Sequence, residues 1–292
     1  MEDMKMNNMK KILCIVLALV MTASLSAAAF ADTVDDIKKA GVLTVALSPD
    51  FSPMEFVDSS KEGQDAYVGF DVTLAKYIAE YLGVALEIQA MSFDACQTAV
   101  AMGAVDMSIS GYAATPTRAE NFELSDPYYT EDDTTGQVLL IKAENADKYT
   151  SAESFAGVDV GAQNASLQMD LVTSQLPDAK PYTIGEIGVG VLELQSGNIE
   201  AMAVAEANGL QIIANNPDLV IASWQFDYES AGNVVLIQKG NTALLEAVNA
   251  ALAQAYEAAV YSGWYAEALE IAAGESALEV SVEEPEEAAP AE

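Results

Sequence analysis

The chain has 292 residues, 45 acids against 12 bases and no histidine, for a formal net charge of −33. A field that negative excludes nucleic acid and anionic membrane surfaces as partners. The missing histidine removes His-dependent triads, the commonest proton shuttle and the commonest zinc ligand, although carboxylates and lysines remain for acid–base work.

Residues 1–31 read as a secretory signal peptide: Lys5, Lys10 and Lys11, the apolar run ILCIVLALVM, then small residues ending in AFA. Cleavage after Ala31 implies an exported protein, periplasmic or extracellular. Cys14 lies inside the apolar run, so no lipid-attachment site is read there. Cys96 is then the one remaining cysteine, which precludes an intramolecular disulfide; within FDACQTAVAM it reads as a small buried hydrophobe. The remaining length suits two compact lobes better than one core.

GVLTVAL (41–47) reads as a strand from its β-branched and apolar content. VTLAKYIAEYLG (72–83) sets Leu74, Ile78 and Leu82 at helical spacing and stops at Gly83. VALEIQAM (84–91) follows as a strand, FDACQTAVAMG (93–103) as a helix ended by Gly103, and AVDMSIS (104–110) as a strand. This alternation is the pattern of an α/β lobe. It recurs in GVDVGA (157–162), ASLQMDLVTSQL (165–176), KPYTI (180–184), VLELQSG (191–197) and NIEAMAVA (198–205). AMGAVDMSIS and QSGNIEAMAV share one order, helix end, glycine, two residues, an acid and an apolar strand. Two lobes built alike are therefore expected.

VVLIQKG (234–240) reads as a further strand and 241–273 as helices. If these return to the first lobe, the chain crosses between lobes twice, near Tyr128–Thr134 and near Phe226–Gly232. Two lobes on a double hinge close over a small ligand. The boundaries are 32–129 with 232–273 for the first lobe and 134–228 for the second. The tail 274–292 is acidic, Pro-containing and reads as disordered.

The segment SGYAATPTRAENFELSDPYY (110–129) holds Arg118, the single arginine beside eleven lysines. Ligands of α/β lobes bind beyond the carboxyl ends of strands, and Ser110 and Gly111 end one such strand. Gly111 allows close backbone approach. A guanidinium a few residues on can hold a carboxylate through two parallel hydrogen bonds, where lysine offers only a point charge. Local sequence equally allows a surface cation paired with Glu120 or Glu123.

That segment resembles the one shared by extracellular solute-binding proteins of family 3, the polar amino-acid receptors of ABC importers. GFDVTLAKYIAEYLG (69–83) is similar to the family signature, and PDFSPMEF, GNIEAMAV and KGNTALLEAVNAAL follow in the family's order and spacing. The resemblance covers the mature chain nearly end to end. It implies an α/β fold of two lobes, the periplasmic-binding-protein type II architecture with a double-crossing hinge. It also implies an exported monomeric receptor for an amino acid or related carboxylate, delivering to an ABC permease without cofactor, metal or catalytic residues. By resemblance, Arg118 grips the α-carboxylate and Phe51 and Phe93 stack on the ligand side chain, although core packing is the plainer reading of the two rings. Ala165 and Ser166 match the Gly-Thr pair at a helix start, where Ser166 suits an N-cap whose amide faces an anion.

The departures concern donors and the ammonium site. Thr73 stands where a second acid is usual, and Ala113 replaces a hydroxyl residue that would bind the carboxylate. The acid that holds the ligand's ammonium falls on Ala205, with Glu206 one step later. A one-residue offset turns a strand side chain to the opposite face. Either a bulge restores Glu206 to the cleft, or another acid such as Asp50 serves; Glu206 reads equally as a solvated acid. Asp50, Glu55, Gln163, Asn164 and Gln168 suit a neutral polar or cationic side chain. Two other classes stay open: an exported dehydratase-like enzyme on this scaffold, with Glu206 or Asp50 as its acid–base group, and a ligand sensor for a membrane partner.

Overall fold

The computed structural model describes residues 33–129 and 136–282, with 275–282 as backbone only. The expected signal peptide (1–31) and most of the first expected crossing (130–134) lie outside the described residues.

Two five-stranded sheets carry the chain. In the first, β1 (Val42–Leu47) lies parallel between β5 (Ala85–Ala90) and β6 (Met107–Ser108), and β13 (Leu236–Gln238) runs antiparallel between β6 and β7 (Phe122–Leu124). In the second, β9 (Asp159–Gln163) lies parallel between β10 (Lys180–Ile184) and β11 (Ala201–Ala205). There β8 (Gln137–Lys142) runs antiparallel between β11 and β12 (Leu219–Ile221). The orders are equivalent position by position, so the two lobes are built alike. The fourth strand of each sheet follows a crossing. β8 enters the second sheet just after the chain leaves the first, and β13 re-enters the first after the second is complete. Tyr129 and Asn233 bridge the two crossing segments, with Asn233 N donating to Tyr129 O at 2.9 Å.

Helices cover both faces of each sheet, which is why β1 and β8 read as nearly continuous apolar runs. On the first lobe, α1 (Thr33–Ala40) buries Ile37 and α2 (Phe70–Leu82) buries Leu74, Ile78 and Leu82 in one core with Leu244, Val248 and Leu252 of α8 (Thr242–Glu257) and Ala268 of α9 (Tyr261–Val282). The returning helices thus seal the first lobe. Helix α9 runs past Gly274 to Val282, through the start of the segment that reads as a disordered tail. Cys96, on α3 (Phe93–Ala101), is fully buried among Phe93, Val100 and Tyr112, and burial pushes its thiol up to about 12. It is the small hydrophobe its context suggests.

The strand expected over 104–110 shrinks to Met107–Ser108. Side chains take the ladder's place at both ends: the Asp106 carboxylate accepts from Thr44 N at 2.7 Å, and Ser110 Oγ accepts from Ser48 N at 3.0 Å. A small antiparallel sheet of β2 (Asp50–Phe51), β3 (Glu55–Val57) and β4 (Tyr67–Val68) adjoins the first lobe.

Gly69 joins that small sheet to α2. Its φ of 118° and ψ of 177° belong to a region that only glycine enters freely. A Cβ there would lie 2.4 Å from Met54 O and 2.9 Å from Pro53 O, backbone atoms that cannot swing away. Gly69→Ala is expected to cost at least about 2 kcal/mol, lowering the melting temperature by roughly 4 °C or more. Gly63→Ala, also at positive φ but with nothing within 4 Å of the new methyl, is the control and loses less in the same thermal melt. Equal losses would mean that φ alone, not the clash, decides.

Candidate functional site

Arg118 is positioned by α4 (Pro116–Asn121). Thr115 caps this helix, its Oγ1 accepting from Arg118 N at 3.2 Å, and Pro116 starts it where no donor is needed. The helix directs the guanidinium inward: Arg118 is only 6% exposed, with its Cζ 5.7 Å from the Phe93 ring centroid and 5.3 Å from that of Tyr112. Nη1 donates to Ala113 O at 2.8 Å, and Nη2 crosses to the other lobe to reach Ala165 O at 3.2 Å. Among the described residues no carboxylate pairs with it, and Glu123 pairs instead with Lys239 at 3.6 Å. The surface ion pair with Glu120 or Glu123 does not form. Burial lowers the pKa of Arg118, but a guanidinium keeps its charge in proteins. A buried, unpaired cation in a cleft is a site for an anion.

Phe51, Phe93 and Gly111 line the same cavity as Arg118, with Gln137, Leu167 and Asn208 from the second lobe. Phe51 packs against the cores of both lobes. Gly111, at φ 57°, lies so close to it that a Cβ would sit 2.7 Å from the ring. Ser166 is buried and caps α5 (Leu167–Gln175), accepting from Met169 N at 3.1 Å. It does not line the cavity itself; its neighbour Leu167 does, at the helix start where free amides favour an anion. Ala165 holds a left-handed φ of 57°, the place of the family pattern's glycine, and offers its carbonyl to Arg118 and to Gln97.

Residues 43–269 match the model of the bacterial extracellular solute-binding proteins, family 3. The chain belongs to this family. The arginine-binding extracellular protein ArtP of Bacillus subtilis (strain 168) is 30% identical over 213 residues, 72% of this chain and 79% of ArtP. The solved structure of AbpA, an amino acid ABC transporter substrate-binding protein from Streptococcus pneumoniae Canada MDR_19A bound to L-arginine, has a TM-score of 0.74 at 33% identity, covering 82% of this chain and 98% of that one. The ancestral amino acid-binding protein AncCDT-1, a precursor of cyclohexadienyl dehydratase, has a TM-score of 0.70 at 31% identity, covering 80% and 98%.

This family 3 protein has a second cavity beside the first, sharing Phe51, Phe93 and Gly111 and lined also by Asp50, Glu55, Ser110 and Gln163. Asp50 ties the lobes together. Its Oδ2 accepts from Ile187 N at 2.8 Å, where α6 (Ile187–Ser196) begins, and from Gln163 Nε2 at 3.2 Å; its Oδ1 accepts from Ser48 Oγ at 2.9 Å. Asn164 likewise donates across to Asp94 Oδ2 at 2.8 Å. Behind the cavity, Glu55 (0% exposed) accepts from Ser110 Oγ at 2.5 Å. Asp71 accepts from Gly111 N at 2.8 Å and from Tyr128 OH at 2.9 Å. Burial, then the Asp71 charge, pushes Glu55 well above the usual carboxylate range; burial also raises Asp71 to about 6. Ser110 lines the second cavity and donates to Glu55 there.

Glu206 is not brought to either cavity. No bulge forms: β11 ends at Ala205, which lines both cavities, and Glu206 is the first residue of α7 (Glu206–Asn215). Its amide donates to Gly136 O at 2.9 Å, and its carboxylate lies against Gly136. An acid in a helix's first turn is at home there without a ligand. Sequence reasoning missed Gln137, Tyr129, Tyr228, Asn233 and Asn208 in the wall of the first cavity. The last is one of several polar residues of α7, beside Glu206, Gln211 and Asn215, and only the fold shows it facing the other lobe.

Proposed function

We propose that this protein is an exported receptor that captures an amino acid with a cationic or neutral polar side chain and delivers it to an ABC permease. The single observation that carries the reading is the buried guanidinium of Arg118, which has no carboxylate partner among the described residues, in a cavity between two lobes. A ligand carboxylate supplies that partner. The side chain then passes between Phe51 and Phe93 toward Glu55. A protonated Glu55 both donates and accepts, which suits an amide, and ionises beside a cation. Relatives that bind arginine support the cationic case. The signal peptide of residues 1–31 would carry the protein out of the cytoplasm.

The receptor reading is favoured over an enzyme on the same scaffold by the two acids nominated for catalysis. Glu206 stands outside the cavities, and Asp50 is engaged by three donors. The test is a thermal-shift screen against the common amino acids, followed by recovery of the bound compound. A ligand at 100 times its Kd adds about 2.7 kcal/mol of stability, a shift of several degrees. A hit among cationic or amide side chains, returned chemically unchanged, is the expected result. No stabilisation by any amino acid, or recovery of a converted product, would overturn the proposal.

A further inference from the structure

Among the described residues the buried Asn208 Oδ1 has no hydrogen-bond partner, and Glu55 Oε2, the other buried oxygen that no donor reaches, is within hydrogen-bonding range of the Asp71 carboxyl. Both residues line the paired cavities, Asn208 the one that holds Arg118 and Glu55 the adjoining one. Buried acceptors are nearly always satisfied in native proteins, so an unmet one at a cavity marks where an occupant's donor goes. Asn208 is 5% exposed, and its Nδ2 donates to Ser52 O of the other lobe at 3.3 Å. That bond fixes the amide's orientation. Flipped, it would set oxygen against the Ser52 carbonyl, so the free atom is the acceptor.

We infer that Asn208 receives the α-ammonium of the ligand, in place of an acid at position 205 or 206. The inference rests on the receptor reading above and adds to it the group that reads the amine. In an α-amino acid the ammonium is one carbon from the carboxylate, so with the carboxylate on Arg118 the ammonium stays in the cavity that Asn208 lines. Glu55, in the adjoining cavity, is placed for the far end of the side chain. Ala205 offers only a methyl, and Glu206 lies against Gly136. A neutral amide oxygen holds an ammonium less firmly than a carboxylate. The protein therefore discriminates an amino acid from its des-amino analogue, but by a smaller factor than an acid at this position would give.

The experiment measures Kd by titration calorimetry for L-arginine against 5-guanidinopentanoic acid, and for L-glutamine against glutaramic acid. The readout is the ratio within each pair, which a general weakening of the cleft does not move. Asn208→Ala is expected to shrink the ratio by about tenfold, equivalent to about 1.4 kcal/mol. Asn208→Asp, of the same size, is expected to enlarge it by favouring the ammonium and repelling the bare carboxylic acid. Ratios unchanged in both variants overturn the assignment while leaving the receptor reading intact. A wild-type protein that binds the des-amino acids as tightly as the amino acids overturns both.

Discussion

Replacing Arg118 by lysine is expected to weaken amino-acid binding by about tenfold or more, and replacing it by alanine by about a hundredfold or more. The guanidinium has five N–H donors, and the bonds to Ala113 O and Ala165 O use two. The rest remain for a carboxylate, in a fork that matches its two oxygens. Charge-assisted bonds contribute roughly 1.5–3 kcal/mol each, so losing a bidentate pair costs on the order of 3–6 kcal/mol. Lysine restores the charge but not the fork. With the Ala113 and Ala165 carbonyls held as they are by Arg118, lysine's three N–H donors leave one for a ligand oxygen, so the second bond of the fork is lost. Calorimetric titration of both variants decides the matter. Near-native affinity in Arg118→Lys would mean that charge alone binds the ligand, and near-native affinity in Arg118→Ala would remove the carboxylate from this site.

The placement of Arg118 shows what the sequence does and does not carry. Local pattern is enough for α2, where Leu74, Ile78 and Leu82 repeat at helical spacing and Gly83 takes a left-handed φ of 77° at the stop. The repeated order of helix end, glycine, acid and strand likewise anticipates two similar sheets. Burial of a single cation is a tertiary property, and PTRAEN with Glu120 two residues past the arginine reads the same whether the helix faces water or a cleft. The family pattern breaks the tie, and the fold places the ring pair Phe93 and Tyr112 beside the guanidinium. Glu206 fails for a different reason. Its position is set by where β11 yields to α7, and a one-residue change at such a boundary redirects a side chain entirely. Asn208 lies two residues further along α7, about 200° round the helix, so the same boundary that removes Glu206 from the cleft brings Asn208 to it.

Acidifying the ligand-free protein from about pH 7 to about pH 5 is expected to raise its melting temperature. Asp71 has its pKa raised from 3.8 to about 6, chiefly by burial. Between those values the native state holds a proton that the unfolded chain has lost, so stability falls as pH climbs through that window and is flat above it. The whole shift costs about 3 kcal/mol at neutral pH, or roughly 6–12 °C in a domain pair of this size. Glu55, pushed further up by burial and by Asp71, extends the fall to higher pH, and Asp50, also raised by burial, adds in the same direction. Asp94 has the opposite sign, since Ser92 and Asn164 hold its carboxyl low. Its contribution is lost only as pH drops below 3.8, outside the window. Glu55→Gln keeps an acceptor for Ser110 Oγ and removes the titration, so the variant's melting temperature is expected to level off above about pH 6. A melting temperature that rises with pH across this range in both proteins would exclude the buried pair as its source. The pair also holds the cleft, Glu55 through Ser110 and Asp71 through Gly111. A cationic side chain beside Glu55 favours its ionised form, so the stabilisation given by L-arginine should grow as pH rises, while that given by L-glutamine should not. Equal pH dependence for the two ligands would place the arginine side chain away from Glu55.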